Sequence, residues 1–194
     1  MIYKEFLSAL AIAITFIAFV PYITSILQNK TQPHAFSWII WASVTFIVFL
    51  AQLSDGAGAG AWPIGISGVI TLFVAVLAYL KKTDHMIAKK DWIFFVLAMS
   101  AIPFWYVTSN PLWAVVILTV VDLLGFVPTF RKAYSYPNEE QLIFYILIAS
   151  RNLIAIVALE HYSLTTLLFP AATALACVMF IQMVMYRRSI IKQE

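Results

Sequence analysis

Two ionisable residues, Asp122 and Arg151, stand inside long apolar stretches of this sequence. An aspartate or an arginine at the centre of a membrane-spanning helix costs about 2.5–3.5 kcal/mol even on lenient insertion scales, so such residues usually have a partner or a function. Asp122 is the midpoint of its stretch, and Arg151 is just past the middle of the next one. On two antiparallel helices their side chains would reach a similar depth, and Asn152 would add an amide beside them.

This placement predicts one of two roles for the charged residues. In the first, Asp122, Arg151 and Asn152 bind an asymmetric polar or zwitterionic solute, or Asp122 carries a proton. In the second, Asp122 and Arg151 form an ion pair that neutralises both charges and only joins their helices. Both roles remain open on the sequence alone.

Aromatic residues in two of the stretches suggest a second set of binding contacts. Trp38 and Trp41 are three positions apart and so share one face of a helix. Trp38 is close to the end of its stretch, which favours a place in the aromatic belt at the membrane surface. Trp41 is a turn deeper and is the better candidate for stacking on a planar or sugar-like ligand. Tyr145 shares a helix face with Asn152 and takes a position like that of Trp41, which predicts that Trp41 and Tyr145 face each other.

Three further residues are candidates for a transport path. Gln52, near the end of the second stretch, is predicted to line the mouth of a cavity. Pro21 and Pro128 each remove a backbone hydrogen bond inside an apolar stretch and so allow a kink. They are predicted to be hinges, with a static kink tolerated in the membrane as the alternative.

The patterns that membrane enzymes use are missing from the sequence. There is no HExxH motif, and no nucleophile has a nearby histidine within the apolar stretches. Cys177 is the only cysteine, which excludes a disulfide framework, a CxxC redox pair and a thiolate metal cluster. His34, His85 and His161 all fall between the stretches. We therefore expect no enzymatic activity, no metal site and no cofactor.

The elements that must position these residues are membrane-spanning helices. Of the 194 residues, 63% are hydrophobic and only 11% are charged, whereas a soluble domain has roughly 25% charged residues. A helix needs roughly 20 apolar residues to cross a bilayer. Seven such stretches are predicted: Phe6–Leu27, Ala35–Leu53, Ala61–Leu80, Trp92–Val107, Leu112–Ala133, Gln141–Leu159 and Ser163–Tyr186. The fold class is therefore an all-α membrane protein.

Lysine and arginine predict the orientation of the chain. The amino terminus and the connections on its side of the membrane contain only Lys4, and the opposite side contains ten basic residues. The positive-inside rule then places the amino terminus outside and the carboxyl terminus in the cytoplasm. The basic balance is thus a topology signal and does not indicate nucleic-acid binding. The ten residues are Lys30, Lys81, Lys82, Lys89, Lys90, Arg131, Lys132, Arg187, Arg188 and Lys192.

A weak internal repeat relates the two ends of the chain. The tripeptide that ends in Pro21 recurs as the tripeptide that ends in Pro128, and the interval between these prolines is the offset of the repeat. Pro63 follows Pro21 at the same distance in the sequence as Pro170 follows Pro128. This predicts a first three-helix repeat over residues 1–82, a linker helix over 83–110 and a second three-helix repeat over 111–194.

The chain resembles the SWEET, or PQ-loop, transporter superfamily in three predicted features. These are the order of three helices, one linker helix and three helices, the amino terminus outside the membrane, and a proline late in helices 1 and 5. Pro21 is followed by Tyr22 and Pro128 by Thr129, so it would be a divergent member without the proline-glutamine dipeptide. The resemblance implies two parallel three-helix bundles with a central cavity between them. In that architecture the binding site lies near the middle of the membrane.

The sequence therefore predicts a transporter or facilitator that moves a small polar metabolite by alternating access. The metabolite would be sugar-like, amino-acid-like or vitamin-like, and the other partner would be the lipid bilayer; homo-oligomerisation stays open. Compact size favours the inner membrane of a bacterium. The alternatives are a receptor or sorting protein of the KDEL-receptor type and a non-transporting membrane assembly subunit.

Overall fold

The computed structural model describes residues 2–29, 35–81, 89–140 and 142–191. Within these ranges all regular structure is helical, which confirms the all-α class. The α-helices are α1 (Ile2–Leu27), α2 (Ala35–Ser54), α3 (Trp62–Leu80), α4 (Lys89–Thr108), α5 (Pro111–Ser135), α6 (Leu142–Ala158) and α7 (Leu164–Ile191). Two 3₁₀ turns, Gly58–Ala61 and Pro137–Glu139, precede α3 and α6. Gln141, the predicted start of the sixth stretch, and Lys30, Lys82 and Lys192 lie outside the described residues.

The helices end where the sequence changes backbone preference. Asn29, just after α1, has φ of 57°, and Ser109, just after α4, has φ of 50°. Both values fall in the left-handed region, where a residue stops helix propagation. Pro111 then begins α5, because the fixed φ of proline suits the first turn of a helix and its missing N–H is not needed there.

Helix length and composition fit an integral membrane protein. Four apolar segments are long enough to cross a bilayer: Ile2–Leu27, Ala35–Ser54, Gly58–Leu80 and Leu164–Ile190. Shorter apolar helices cover Trp92–Thr108, Pro111–Val127 and Leu142–Ala158. Large apolar side chains also cover the outside of the bundle, as at Ile17 and Val107, which are 60% and 81% exposed. Such a surface is stable against lipid and would aggregate in water.

Each terminal group of three helices packs in the same order. In the first group α3 contacts both α1 and α2, and in the second group α7 contacts both α5 and α6. Across the groups, α1 packs against α6 and α2 packs against α5. The fourth helix lies against α5 and α2. Asp122 and Arg151 thus lie on α5 and α6, the two helices of the second group that pack most closely against the first.

Two apolar clusters hold these helices together. One joins α2, α4 and α5 through buried side chains that include Val44, Ala98 and Leu118. The other joins α1, α3, α6 and α7 through Phe19, Ile70, Ile148 and Cys177, among others.

At one end of the bundle, the α2–α3 connection binds the α6–α7 connection. We call this set of contacts the interloop contact; its residues are Asp55, Ala57, Glu160, His161 and Ser163. The backbone N–H of Glu160 donates to the carbonyl oxygen of Ala57 at 3.0 Å, and the Ser163 hydroxyl donates to the carboxylate of Asp55. Nδ1 of His161 lies 2.8 Å from the Asp55 carbonyl oxygen.

The amino-terminal turn of α1 reaches the same end of the bundle. The Lys4 ammonium donates to the carbonyl oxygen of Leu159 at 2.5 Å, so α1 begins beside the interloop contact.

Basic side chains cap helix ends at the opposite end of the bundle. The Lys81 ammonium donates to the carbonyl oxygen of Leu27, the last residue of α1, at 2.9 Å. Arg187 donates through Nε to the carbonyl oxygen of Tyr134 at 3.1 Å, near the end of α5. Cations are favourable at these positions, because the last carbonyl groups of a helix carry partial negative charge. Tyr134 follows Leu27 at the offset of the predicted sequence repeat, so the two capped carbonyl groups occupy corresponding positions in the sequence, whereas their donors, Lys81 and Arg187, do not.

Candidate functional site

The guanidinium of Arg151 is the centre of the candidate site. Arg151 lies in α6, and its side chain is only 4% exposed. Its Nη2 donates to Oδ1 of Asn152 at 3.2 Å, and Nδ2 of Asn152 donates in turn to the Ile148 carbonyl oxygen at 3.0 Å. Nε and Nη1 of Arg151 are buried and have no hydrogen-bond partner among the described residues. A buried charge with two unused donors is costly, so the site is incomplete as it stands.

Asp122 is placed on α5 near Arg151 but does not pair with it. The Asp122 carboxylate and the Arg151 guanidinium are near enough to interact electrostatically. Both residues belong to the described part of the chain, and no ion pair within 4.0 Å joins them. Asp122 is half-buried, and one of its carboxylate oxygens accepts a long hydrogen bond of 3.5 Å from the Thr173 hydroxyl. The direct ion pair that the sequence offered as one alternative is therefore not formed.

Helix α7 supplies two residues that sequence reasoning did not assign to the site. Thr173 is buried, and besides approaching Asp122 it donates to the carbonyl oxygen of Phe169 at 2.9 Å. Cys177, one turn further along, is buried and lies close enough to Asp122 and Arg151 for their charges to act on its thiol. The signal available in the sequence was their spacing of one helical turn, which puts both on one face of the helix. Without knowing which face of α7 meets α5, that spacing could not be used.

Trp41 approaches the same helix that carries Asp122. Its ring packs edge-on against Trp38, with centroids 5.3 Å apart, and it is 37% exposed. A side chain at Gly125 would come within 3.4 Å of the indole nitrogen of Trp41. Since Gly125 is nearly one helical turn after Asp122, Trp41 lies about one turn along α5 from the carboxylate.

Tyr145 packs against α7. Its ring lies 4.1 Å from that of Phe180 and 5.6 Å from that of Phe144. At the offset of the sequence repeat Tyr145 corresponds to Trp38, and the structure packs Trp38 and Tyr145 against the same apolar cluster. The structure thus places Tyr145 and Trp41 in different surroundings.

Gln52 is fully buried near the interloop contact. Its Nε2 donates to the Thr166 carbonyl oxygen in the first turn of α7 at 2.8 Å, and its Oε1 has no partner in the part of the chain that the structure describes. The side chain, predicted to line a mouth, therefore joins α2 to α7 in this conformation.

The two predicted hinge residues lie inside helices. Pro21 is within α1 and is exposed, and Pro128 falls within the range of α5. Neither helix is interrupted at its proline. Their role as hinges stays a prediction.

Comparison with models of protein families, with curated proteins and with solved structures finds no match to this chain. A function for this chain is therefore inferred from the geometry of the site.

Proposed function

We propose that this protein is a membrane transporter that moves a small polar metabolite by alternating access, with Arg151 in its binding site. The observation that carries the proposal is the buried guanidinium whose Nε and Nη1 have no partner among the described residues. Ionisable groups at membrane depth usually mark a solute or ion path, because a purely structural role would be served better by an apolar residue. A solute with acceptor oxygens would complete the missing hydrogen bonds.

Helix packing supports the proposal of two parallel three-helix repeats joined by α4. If α1, α2 and α3 correspond to α5, α6 and α7, the two groups have the same internal contacts: α3 packs on α1 and α2, as α7 packs on α5 and α6. The contacts between the groups correspond as well, since α1 packs on α6 and α5 packs on α2. The capped carbonyl groups of Leu27 and Tyr134 follow the same relation. Parallel repeats of this kind are a transporter architecture with the site between the halves, as the resemblance to the SWEET superfamily implies.

The interloop contact defines one of the two states of the proposed alternating-access cycle. It links the two groups of helices at the end where α1 begins, and we propose that it closes the site from that end. With the predicted orientation, that end faces the outside and the basic end faces the cytoplasm. We propose that the membrane is the inner membrane of a bacterium. Transport would then require the α2–α3 and α6–α7 connections to separate.

Uptake into proteoliposomes tests the proposal. Purified protein is reconstituted and offered a panel of sugars, amino acids, organic acids and vitamins, alongside the Arg151→Gln and Asp122→Asn variants. We expect saturable uptake of at least one solute, lowered at least about tenfold by Arg151→Gln, because hydrogen bonds to a charged group contribute about 1.5–3 kcal/mol. Because Arg151→Gln also changes the charge balance with Asp122, uptake is compared at matched amounts of folded, reconstituted protein, checked by size-exclusion chromatography.

Arg187→Gln is the matched control, since it removes an arginine that caps α5 far from the site. Its uptake should stay within about twofold of the wild-type value, because exposed charges contribute little. Failure of the wild-type protein to transport any member of the panel would contradict the proposal. Tight binding of a peptide or protein without uptake would favour a receptor.

A further inference from the structure

We infer that the transported solute is a small zwitterion, with its anionic oxygen group bound by Arg151 and its cationic group bound by Asp122. The inference rests on the proposed function and narrows the class of solute. It follows from the hydrogen bonds that Arg151 and Asp122 make and from the absence of a direct ion pair between these two described residues.

The free donors of Arg151 call for an anionic acceptor. Asn152 occupies only Nη2, while Nε and Nη1 project from different edges of the planar guanidinium. At 4% exposure these donors are out of reach of bulk water. A carboxylate can accept hydrogen bonds from such a group and cancel its charge, and such charge-assisted bonds are about twice as strong as neutral ones. A sugar hydroxyl would accept the bond only as a neutral group, so it would satisfy the guanidinium less strongly.

The carboxylate of Asp122 calls for a cation in the same way. Its contact with the Thr173 hydroxyl, at 3.5 Å, is too long to replace the water that a carboxylate loses inside the bundle. Arg151 is near enough to interact with Asp122 but is not within 4.0 Å of it. An ammonium group beside Asp122 would give this carboxylate a cationic hydrogen-bond partner.

Charge balance then selects among solutes. With Asp122 ionised, Asp122 and Arg151 sum to zero, so a simple anion or a simple cation would leave one net charge inside a low-dielectric bundle. Uncompensated charge there costs several kcal/mol. A zwitterion satisfies both groups and keeps the sum at zero. Trp41 lies about one turn along α5 from Asp122, where its indole would adjoin the cationic group of the solute.

Asn152 holds the guanidinium in the orientation that the solute needs. Its amide is fixed from behind by the bond to the Ile148 carbonyl oxygen, so Oδ1 presents a defined acceptor to Nη2. Nε and Nη1 are thereby left for the solute.

A matched set of solutes tests the inference in proteoliposomes. The probes are the standard amino acids and glycine betaine as zwitterions, lactate and pyruvate as anions, putrescine as a cation, and glucose as a neutral solute. For the zwitterion taken up fastest, its amide and its deaminated acid are tested as competitors. We expect the parent zwitterion to compete at least about tenfold better than either derivative, because each derivative leaves one buried charge unpaired.

The variants separate the two charge contacts. Asp122→Asn should weaken competition by the zwitterion at least about tenfold, because its cationic group loses its partner. Competition by the deaminated acid should be unchanged or stronger, because the charge of the acid then balances that of Arg151. Arg151→Gln should weaken both by at least about tenfold. Fastest uptake of glucose, lactate or putrescine would overturn the inference and leave the transporter proposal standing. Uptake that is unchanged in Arg151→Gln, with water alone satisfying the guanidinium, would also overturn it. No uptake of any probe would contradict the proposed function itself.

Discussion

At the scale of single residues, the site depends on one amide that orients one cation. Asn152 is fully buried and gives Arg151 the hydrogen-bond partner at Nη2. Its own Nδ2 is used by the backbone of the same helix. A rotation of this amide would therefore move the guanidinium and cost a second hydrogen bond, which makes the arrangement rigid.

Replacing Asn152 by alanine should loosen the guanidinium without removing its charge. We expect Asn152→Ala to raise the KM for the transported solute about three- to tenfold and to leave the preference among solute charges unchanged, since Arg151 and Asp122 both remain. Uptake kinetics at matched protein levels measure both quantities. Asn138→Ala, at an exposed asparagine in the connection before α6, is the control and should keep the wild-type KM. A lower maximal rate at unchanged KM would contradict a positioning role.

The sequence predicts the depth of the two charges but not their partners. Asp122 and Arg151 are predicted to lie at mid-membrane because each lies at the centre of an apolar stretch. Whether they touch depends on how α5 and α6 are rotated about their axes, which hydropathy does not specify. For the same reason Thr173 and Cys177 were missed, and Gln52 was expected at a mouth instead of in a buried α2–α7 contact.

At the scale of helices, apolar length was a sufficient guide to where the elements lie. The predicted stretches and the observed helices agree to within a few residues at most ends. The largest differences are at polar ends: α1 begins at Ile2, not at Phe6, and α7 continues to Ile191, beyond Tyr186. Lys4 explains the first, since its ammonium binds the Leu159 carbonyl oxygen and holds the first turn of α1 in place. Hydropathy does not detect a contact between residues 155 positions apart.

The 3₁₀ turn before α3 depends on a glycine at its contact with the α6 end. A methyl group at Gly60 would come within 2.7 Å of the Leu159 backbone nitrogen and Cα atom, which cannot rotate away. We expect Gly60→Ala to lower the free energy of unfolding by about 1–3 kcal/mol, the usual cost of overpacking. The midpoint of thermal unfolding of the purified protein measures the effect.

Gly125→Ala is the control for that measurement. A methyl group at Gly125 would meet the Trp41 indole nitrogen at 3.4 Å, an ordinary contact, and alanine favours a helix over glycine by about 1 kcal/mol. Its unfolding midpoint should therefore equal or exceed the wild-type value. Equal midpoints for Gly60→Ala and the wild-type protein would show that the turn can move away from Leu159.

At the scale of the whole molecule, the two groups of helices are joined differently at the two ends of the bundle. At the interloop contact the groups bind each other directly, through backbone and side-chain hydrogen bonds. At the other end the described caps stay within one group, Lys81 on α1 and Arg187 on α5. The weak sequence repeat suggests the grouping, because equal proline spacings are what two related three-helix segments would have. It could not show which end is bound, since the interloop contact joins residues that are far apart in the sequence.

Alternating access requires the interloop contact to break in every cycle, and a reversible cross-link tests that requirement. The side chains of Asp55 and Ser163 are in contact, which makes these two positions candidates for a disulfide between introduced cysteines. The double variant Asp55→Cys, Ser163→Cys is made in a Cys177→Ala background, which removes the native buried thiol. Because Cys177 lies at the candidate site, the uptake of Cys177→Ala alone is the reference for every comparison. We expect oxidation to reduce uptake at least about tenfold and dithiothreitol to restore it, because the covalent bond removes the open state from the cycle. Peptide mass spectrometry measures the fraction cross-linked, and the two single-cysteine variants should be indifferent to oxidation. Undiminished uptake by fully cross-linked protein would mean that the two connections stay together during transport, and that the solute reaches Arg151 by a path that does not part them.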